Sequence, residues 1–180
     1  MKNSLVFVLM LFIGACSSNK NEMKTLSGQT FNPKQNKANV VMTIAPDCPL
    51  SQQYCKNFSA LANKFERDGI VFWGVVPGNY YSQVELNHFV DSFQFNFPLV
   101  LDPEFEFLKA IRAKVTPEFF LLDDNLKILY RGKMDDWAIA FAQKKVQPHY
   151  FYLENALQDF VNHQPIQTPE TEAVGCVIEY

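Results

Sequence analysis

The sequence has no cluster of lysine and arginine, no glycine-rich phosphate loop, no internal repeat and no low-complexity tract. Sixteen basic residues stand against nineteen acidic ones, for a formal net charge of −3. The electrostatic footprint of a nucleic-acid binder is therefore missing. Only three histidines occur, His88, His149 and His163, and none stands at a metal-ligand spacing. No metal and no cofactor is expected. No Ser/His/Asp arrangement stands out. Cysteine is confined to positions 16, 48, 55 and 176, so each thiol can be weighed singly. What is abundant is aromatic side chain, phenylalanine alone numbering 17, which argues for a packed globular domain rather than disorder.

The apolar run Leu5–Ile13 follows Lys2 and stops at Gly14-Ala15-Cys16. It is far short of the ~20 residues that span a bilayer, so it reads as the h-region of a signal peptide over residues 1–15. Small residues directly before Cys16 resemble a bacterial lipobox, which implies lipidation of Cys16 and a membrane-lipid partner. Ser17 and Ser18, with no aspartate after the cysteine, point to the outer membrane of a cell envelope, facing the periplasm, rather than the inner membrane. Residues 16–24 are polar and read as a tether. Residues 25–165 then form one domain, long enough for a real core, and 166–180 form a tail carrying Cys176.

The domain is organised around residues 40–51. The apolar, β-branched run Val40–Ile44 stops at Pro46-Asp47, and Cys48-Pro49 opens a helix whose apolar residues recur at Leu50, Tyr54, Phe58, Leu61 and Phe65. Gly69 is placed to end that helix. A thiol at such a strand-to-helix turn sees unpaired N–H groups and the positive end of the helix dipole, both of which favour thiolate. Ile70–Val76 reads as a parallel strand buried on both faces. Ser82 and Glu85 have capping-box spacing for a helix to about Phe93. Phe97–Leu101 is extended, and Asp102-Pro103 reads as the start of another helix. Phe119–Leu122 and Leu126–Arg131 make a hairpin around Asp123-Asp124-Asn125. For residues 133–147 a covering loop and a short helix fit equally, with Asp135 and Asp136 taken as solvated. Tyr150, Leu153, Leu157 and Phe160 give a terminal helix.

Taken together, the β-Cys-α unit, Val115-Thr116-Pro117 before a strand, the hairpin and the last helix resemble the thioredoxin fold in its peroxiredoxin-like, redoxin branch. Asp47-Cys48-Pro49, Thr116-Pro117-Glu118-Phe119 and Arg131-Gly132-Lys133-Met134-Asp135 carry the resemblance, and Gly175-Cys176 is similar to a tail in one peroxiredoxin-like group. It implies an α/β fold, a central mixed sheet flanked by helices. It implies a nucleophilic Cys48, with Thr116 and a cis Pro117 shaping the site and holding backbone open to substrate. Pro46 and Arg131, with Arg112 as a further candidate, are the implied supporting residues. Two departures stand out. Ser51 replaces the second cysteine of a dithiol motif, and Ala45 replaces a hydroxyl residue three before the cysteine, with Thr43 two further back. A copper-carrying relative would need a second cysteine where Gln52 stands.

An oxidised Cys48 needs a second thiol. Cys55 lies about 10 Å along the same helix by its rise, beyond the ~7 Å that a disulfide spans, and reads as a small core residue. Cys176 is the better resolving residue if the tail folds back; a plain tail thiol or a structural bond to Cys55 are the alternatives. The expected function is a membrane-anchored thiol-disulfide oxidoreductase or thiol peroxidase, its partner a thiol or disulfide protein or a peroxide. A non-catalytic binding module is the rival.

Overall fold

The structure, a computed structural model, describes residues 22–140 and 143–180. The expected signal peptide and Cys16 lie outside these residues, as does most of the tether.

Lys24–Thr25 forms β1, and Ala38–Thr43 forms β2, in which every residue is buried. Helix α1 spans Pro49–Phe65, with Leu50, Tyr54, Phe58, Leu61 and Phe65 all buried as the periodicity requires. Gly69 ends the following turn at φ +75°, a left-handed conformation that favours glycine. Strand β3 is Ile70–Pro77, buried at seven of its eight positions. Helix α2, Gln83–Phe93, opens with the full capping box between Ser82 and Glu85. Strand β4 is Leu99–Asp102. Helix α3 is short, Glu106–Ala110, and starts after Phe105 rather than at Asp102. The Asp102 carboxylate reaches forward from three residues before that N-cap and accepts from the Leu108 N–H at 2.8 Å, in the first turn of the helix. Val115–Thr116 is β5, Phe119–Asp123 is β6 and Ile128–Gly132 is β7. Ala138–Ala140 (β8) and Gln143–Lys144 (β9) pair with each other. Helix α4 is Tyr152–Val161, and Cys176–Val177 is β10.

Six strands form one mixed sheet in the order β1-β4-β3-β2-β6-β7. Strands β2, β3 and β4 run parallel; β1, β6 and β7 join antiparallel. Alternation along each strand divides the core between the two faces. Val40 and Met42 pack with α1, α2 and α4, whereas Val41, Trp73 and Phe120 pack with Phe107, Leu108 and Ile111 around α3. This is the expected α/β, thioredoxin-like arrangement, with helices on both sides of a mixed sheet.

Among the described residues of 133–147 there is no helix, and both carboxylates are turned inward. Asp135 is 3 % exposed, and its Oδ1 accepts from the Tyr54 hydroxyl at 2.7 Å and the Trp137 N–H at 2.9 Å. Asp136 accepts from the His149 and Tyr150 N–H groups and pairs with Lys145. These carboxylates stitch β8 and β9 to α1 and to the approach of α4.

The tail is docked along its length. Arg131 N–H donates to Pro169 O and Thr171 N–H to Arg131 O, both at 3.0 Å, beside β7. Farther on, β10 pairs antiparallel with β5, Cys176 opposite Thr116 and Val177 opposite Val115. Ile178 is buried and its N–H donates to Lys114 O at 3.0 Å. The Tyr180 hydroxyl donates to Ala113 O, and its ring stands edge-on to Phe105.

Candidate active site

Strand β2 delivers the chain to a turn that ends at Cys48, the N-cap of α1, in extended conformation. Cys48 N–H donates to Ala45 O at 3.0 Å, and Gln52 N–H to Cys48 O at 3.1 Å. Ser51 is fully buried, and its hydroxyl accepts from Ala45 N–H at 3.3 Å. The residue standing in place of a second cysteine therefore braces the turn. Pro46 contributes through its carbonyl, which accepts from the Gln52 side chain at 2.7 Å.

The peptide between Thr116 and Pro117 is cis, and Thr116 O lies 3.0 Å from Cys48 Sγ. Because β10 pairs with β5, Cys176 arrives beside Thr116, whose carbonyl the Cys48 thiol faces, and so stands near enough to Cys48 to bear on its ionisation. Burial, which leaves Cys48 only 1 % exposed, opposes its ionisation. Hydrogen bonds from the Cys176 thiol, the Ser51 and Cys176 backbone N–H groups and the Thr116 hydroxyl outweigh it, and the Cys48 thiol lies below its ordinary value. As a neutral thiol Cys48 donates to Thr116 O; as a thiolate it accepts from those four donors. Cys176 moves the other way. Burial, the hydrogen bond to Cys48 and the charges of Cys48 and Asp47 push it up to about 12.

Cys55 takes no part in this group. It is fully buried, its thiol donates to Ser51 O at 3.0 Å, and burial pushes it up to about 12. Arg131 does not reach the sulfur either. Its guanidinium donates to Glu118 Oε1 at 2.6 Å and to Arg112 O at 2.9 Å, and it lies 5.4 Å over the Phe120 ring. Arg131 is paired across the strands with Phe120, on the α3 side of the sheet, whereas Cys48 packs on the α1 side. Arg112 supplies a carbonyl to that pair.

Three residues with no expected role in the site help to shape it. Thr43 Oγ1 donates to Val115 O and accepts from Glu118 N–H, each at 2.7 Å, clamping the segment around Pro117 to β2. Glu118, 3 % exposed, accepts from Lys114 N–H as well as from Arg131. Tyr81 donates to Asp47 Oδ1 at 2.6 Å and, with Tyr80 and Phe105, walls a pocket of about 250 Å³ whose floor includes Thr116 and Cys176. Burial and Asp47 raise the Tyr81 hydroxyl above its usual range. Nothing in local spacing marks the Thr43 and Tyr81 contacts, whose partners lie on distant segments, whereas Glu118 meets Lys114 only four residues back. A further pocket of about 290 Å³ near Met23 and Leu101 carries none of the cysteines. Among the described residues no cluster of His, Cys, Asp and Glu could hold a metal ion, and no helix is long and apolar enough to cross a membrane.

Known proteins resemble the chain at two levels. In structure it is similar to an uncharacterised conserved protein from Geobacillus kaustophilus, at TM-score 0.73 and 24 % identity, over 88 % of this chain and 87 % of that one. A hypothetical protein from Sinorhizobium meliloti matches at TM-score 0.75 and 20 % identity, over 89 % and 90 %. The bacterioferritin comigratory protein of Xanthomonas campestris, described as reducing alkyl peroxides, matches at TM-score 0.56 and 16 % identity, over 79 % and 90 %. These likenesses show a shared thioredoxin-like fold. No curated protein sequence matches the chain. Residues 13–131, from before β1 to β7, match the AhpC/TSA family, and the tail with Cys176 lies beyond that match. Covering more than half of the sequence and the whole strand-Cys-Pro-helix unit, the match shows that the chain belongs to the AhpC/TSA family of redoxins.

Proposed function

We propose that the protein is a thiol peroxidase of the redoxin type in which Cys48 attacks and Cys176 resolves. The observation that carries this reading is the meeting of the two thiols across Thr116, one held low and the other high. The Cys48 thiolate attacks the distal oxygen of a hydroperoxide, the O–O bond breaks, and the alcohol or water leaves with a proton. Cys48 becomes a sulfenic acid. Its charge is then gone, and with it part of what held the Cys176 proton. The Cys176 sulfur attacks Cys48, its proton joins the departing hydroxide as water, and a Cys48–Cys176 disulfide forms. An external thiol or dithiol returns both sulfurs to the reduced state. Thr116, through its hydroxyl and carbonyl, and the N–H groups of Ser51 and Cys176 take the positioning role that an arginine was expected to fill. The short N-terminal apolar run ending at Cys16 supports a lipid anchor in the cell envelope, on the periplasmic side, and mass spectrometry of the mature N-terminus reads it directly.

Peroxide consumption with dithiothreitol as reductant tests the mechanism. Wild type turns over and Cys48→Ser is inert; with no reductant present, Cys176→Ala consumes about one equivalent and stops as a sulfenic acid, where wild type stops as a disulfide. Peptide mapping after one equivalent of hydrogen peroxide finds the Cys48–Cys176 disulfide. A wild-type protein that leaves peroxide untouched but exchanges disulfides is a thiol-disulfide oxidoreductase, one that does neither is a binding module, and a dominant Cys48–Cys55 product refutes the assignment of Cys176.

A further inference from the structure

Cys48 lies under the chain's own last strand. The segment β5 offers one backbone edge beside the Cys48 sulfur, and β10 occupies it, Cys176 opposite Thr116 and Val177 opposite Val115. An extended polypeptide bringing a sulfur to Cys48 from this side needs that same edge, because main-chain pairing is what carries a strand alongside a strand. The approach is very close. A β-carbon at Gly175 would lie 2.7 Å from the Thr116 carbonyl carbon and 3.1 Å from Pro117 N, backbone atoms that cannot give way. Beyond the strand, the buried Ile178 and the Tyr180 hydroxyl anchor the tail to the α3 side.

We propose that β10 is a built-in size filter, a strand seated where an extended cysteine-bearing chain would have to pair, so that the docked protein admits small oxidants and small thiols to Cys48 and excludes polypeptide thiols and disulfides. A hydroperoxide or a small disulfide needs only a brief loosening of the tail beside the 250 Å³ pocket. A polypeptide needs the β5–β10 pair removed and Ile178 withdrawn from the core. Gly175 is the residue that lets the filter close. The inference rests on Cys48 being the reactive thiol and deepens that reading by naming the substrates it refuses.

The test uses the full chain carrying Cys176→Ser, which removes the competing sulfur and keeps the tail. Two probes with one leaving group are compared: dipyridyl disulfide, and an unstructured peptide of about a dozen residues whose single cysteine carries a pyridyl disulfide. The Cys48 thiolate attacks the probe sulfur, the S–S bond breaks, and pyridinethiolate leaves with the electron pair, so released thione reports both rates. The small probe reacts about 100-fold faster than the peptide, the handicap set by withdrawing one buried isoleucine. Adding Gly175→Val, which pushes the strand off Thr116, lowers that ratio at least about tenfold. Ile178→Ser loosens the anchor without touching the paired edge and lowers it by a milder route. A ratio near one in the Cys176→Ser protein, or a ratio that neither tail variant moves, overturns the filter alone. A Cys48 inert to dipyridyl disulfide in every variant overturns the reactive-thiol reading, and the filter with it.

Discussion

Two thiols seven residues apart on α1 are driven in opposite directions, and the difference lies in their donors. Cys55 and Cys48 are both out of solvent. Cys55 has only a backbone carbonyl to donate to, so burial prevails and its proton is held. Cys48 faces four donors, two of them brought by the tail. A depressed thiol is ionised at a pH where an ordinary one, at about 8.5, is still mostly neutral. The ultraviolet thiolate absorbance of the reduced protein should therefore show a first step below that range, absent in Cys48→Ser. Removing a donor to the anion raises its pKa, so Cys176→Ala should move that step to higher pH. A step unmoved by Cys176→Ala would mean that the tail thiol contributes nothing to the anion.

Elements were legible to the extent that their burial is periodic. The stripe on α1 follows from spacings of four, four, three and four, and the capping box of α2 is a local signal four residues long. The hairpin β8–β9 and the strands β5 and β10 span two or three residues each, too short for any period to emerge. They are held by pairing with remote segments and, around 135–136, by carboxylates turned inward. The start of α3 lies later than expected: Phe105 is the N-cap, and Asp102 serves the first turn from a distance, accepting from the Leu108 N–H. At the site, Cys48-Pro49 and Thr116-Pro117 could be read locally, whereas Thr43 and Tyr81 matter through partners far along the chain. Thr43 gives this a number. Its replacement by valine leaves the Glu118 N–H and the Val115 carbonyl without their hydroxyl partner in a dry place, at about 1–3 kcal/mol. Urea unfolding should register that loss. A Thr43→Val protein of undiminished stability would show that the clamp between β2 and the Pro117 segment is redundant.

Across the whole molecule, the two sulfurs belong to segments that enclose nearly all of the folded chain. A bond between Cys48 and Cys176 would remove from the unfolded ensemble every conformation in which those positions are apart. By loop entropy that is worth about 4–5 kcal/mol, provided the folded state accepts the bond where β10 sets Cys176 opposite Thr116. The oxidised protein should unfold at clearly higher urea than the reduced one, while Cys176→Ala should show no difference between oxidising and reducing conditions. Equal stability of the two wild-type forms would mean that closing the bond distorts the fold by as much as it stabilises.

The docking of β10 on β5 also sets an order in time. A ribosome makes Cys48 early and Cys176 well after β7, so the sheet from β1 to β7 is complete in the chain before the strand that covers Cys48 exists. A polypeptide interrupted anywhere between Thr171 and Gly175 keeps all six strands of the main sheet and loses the cover. Such a fragment carries Cys48 uncovered and without the tail's two hydrogen-bond donors, open to any sulfur it meets. On the filter proposal, a break before β10 is expected to yield promiscuity rather than silence.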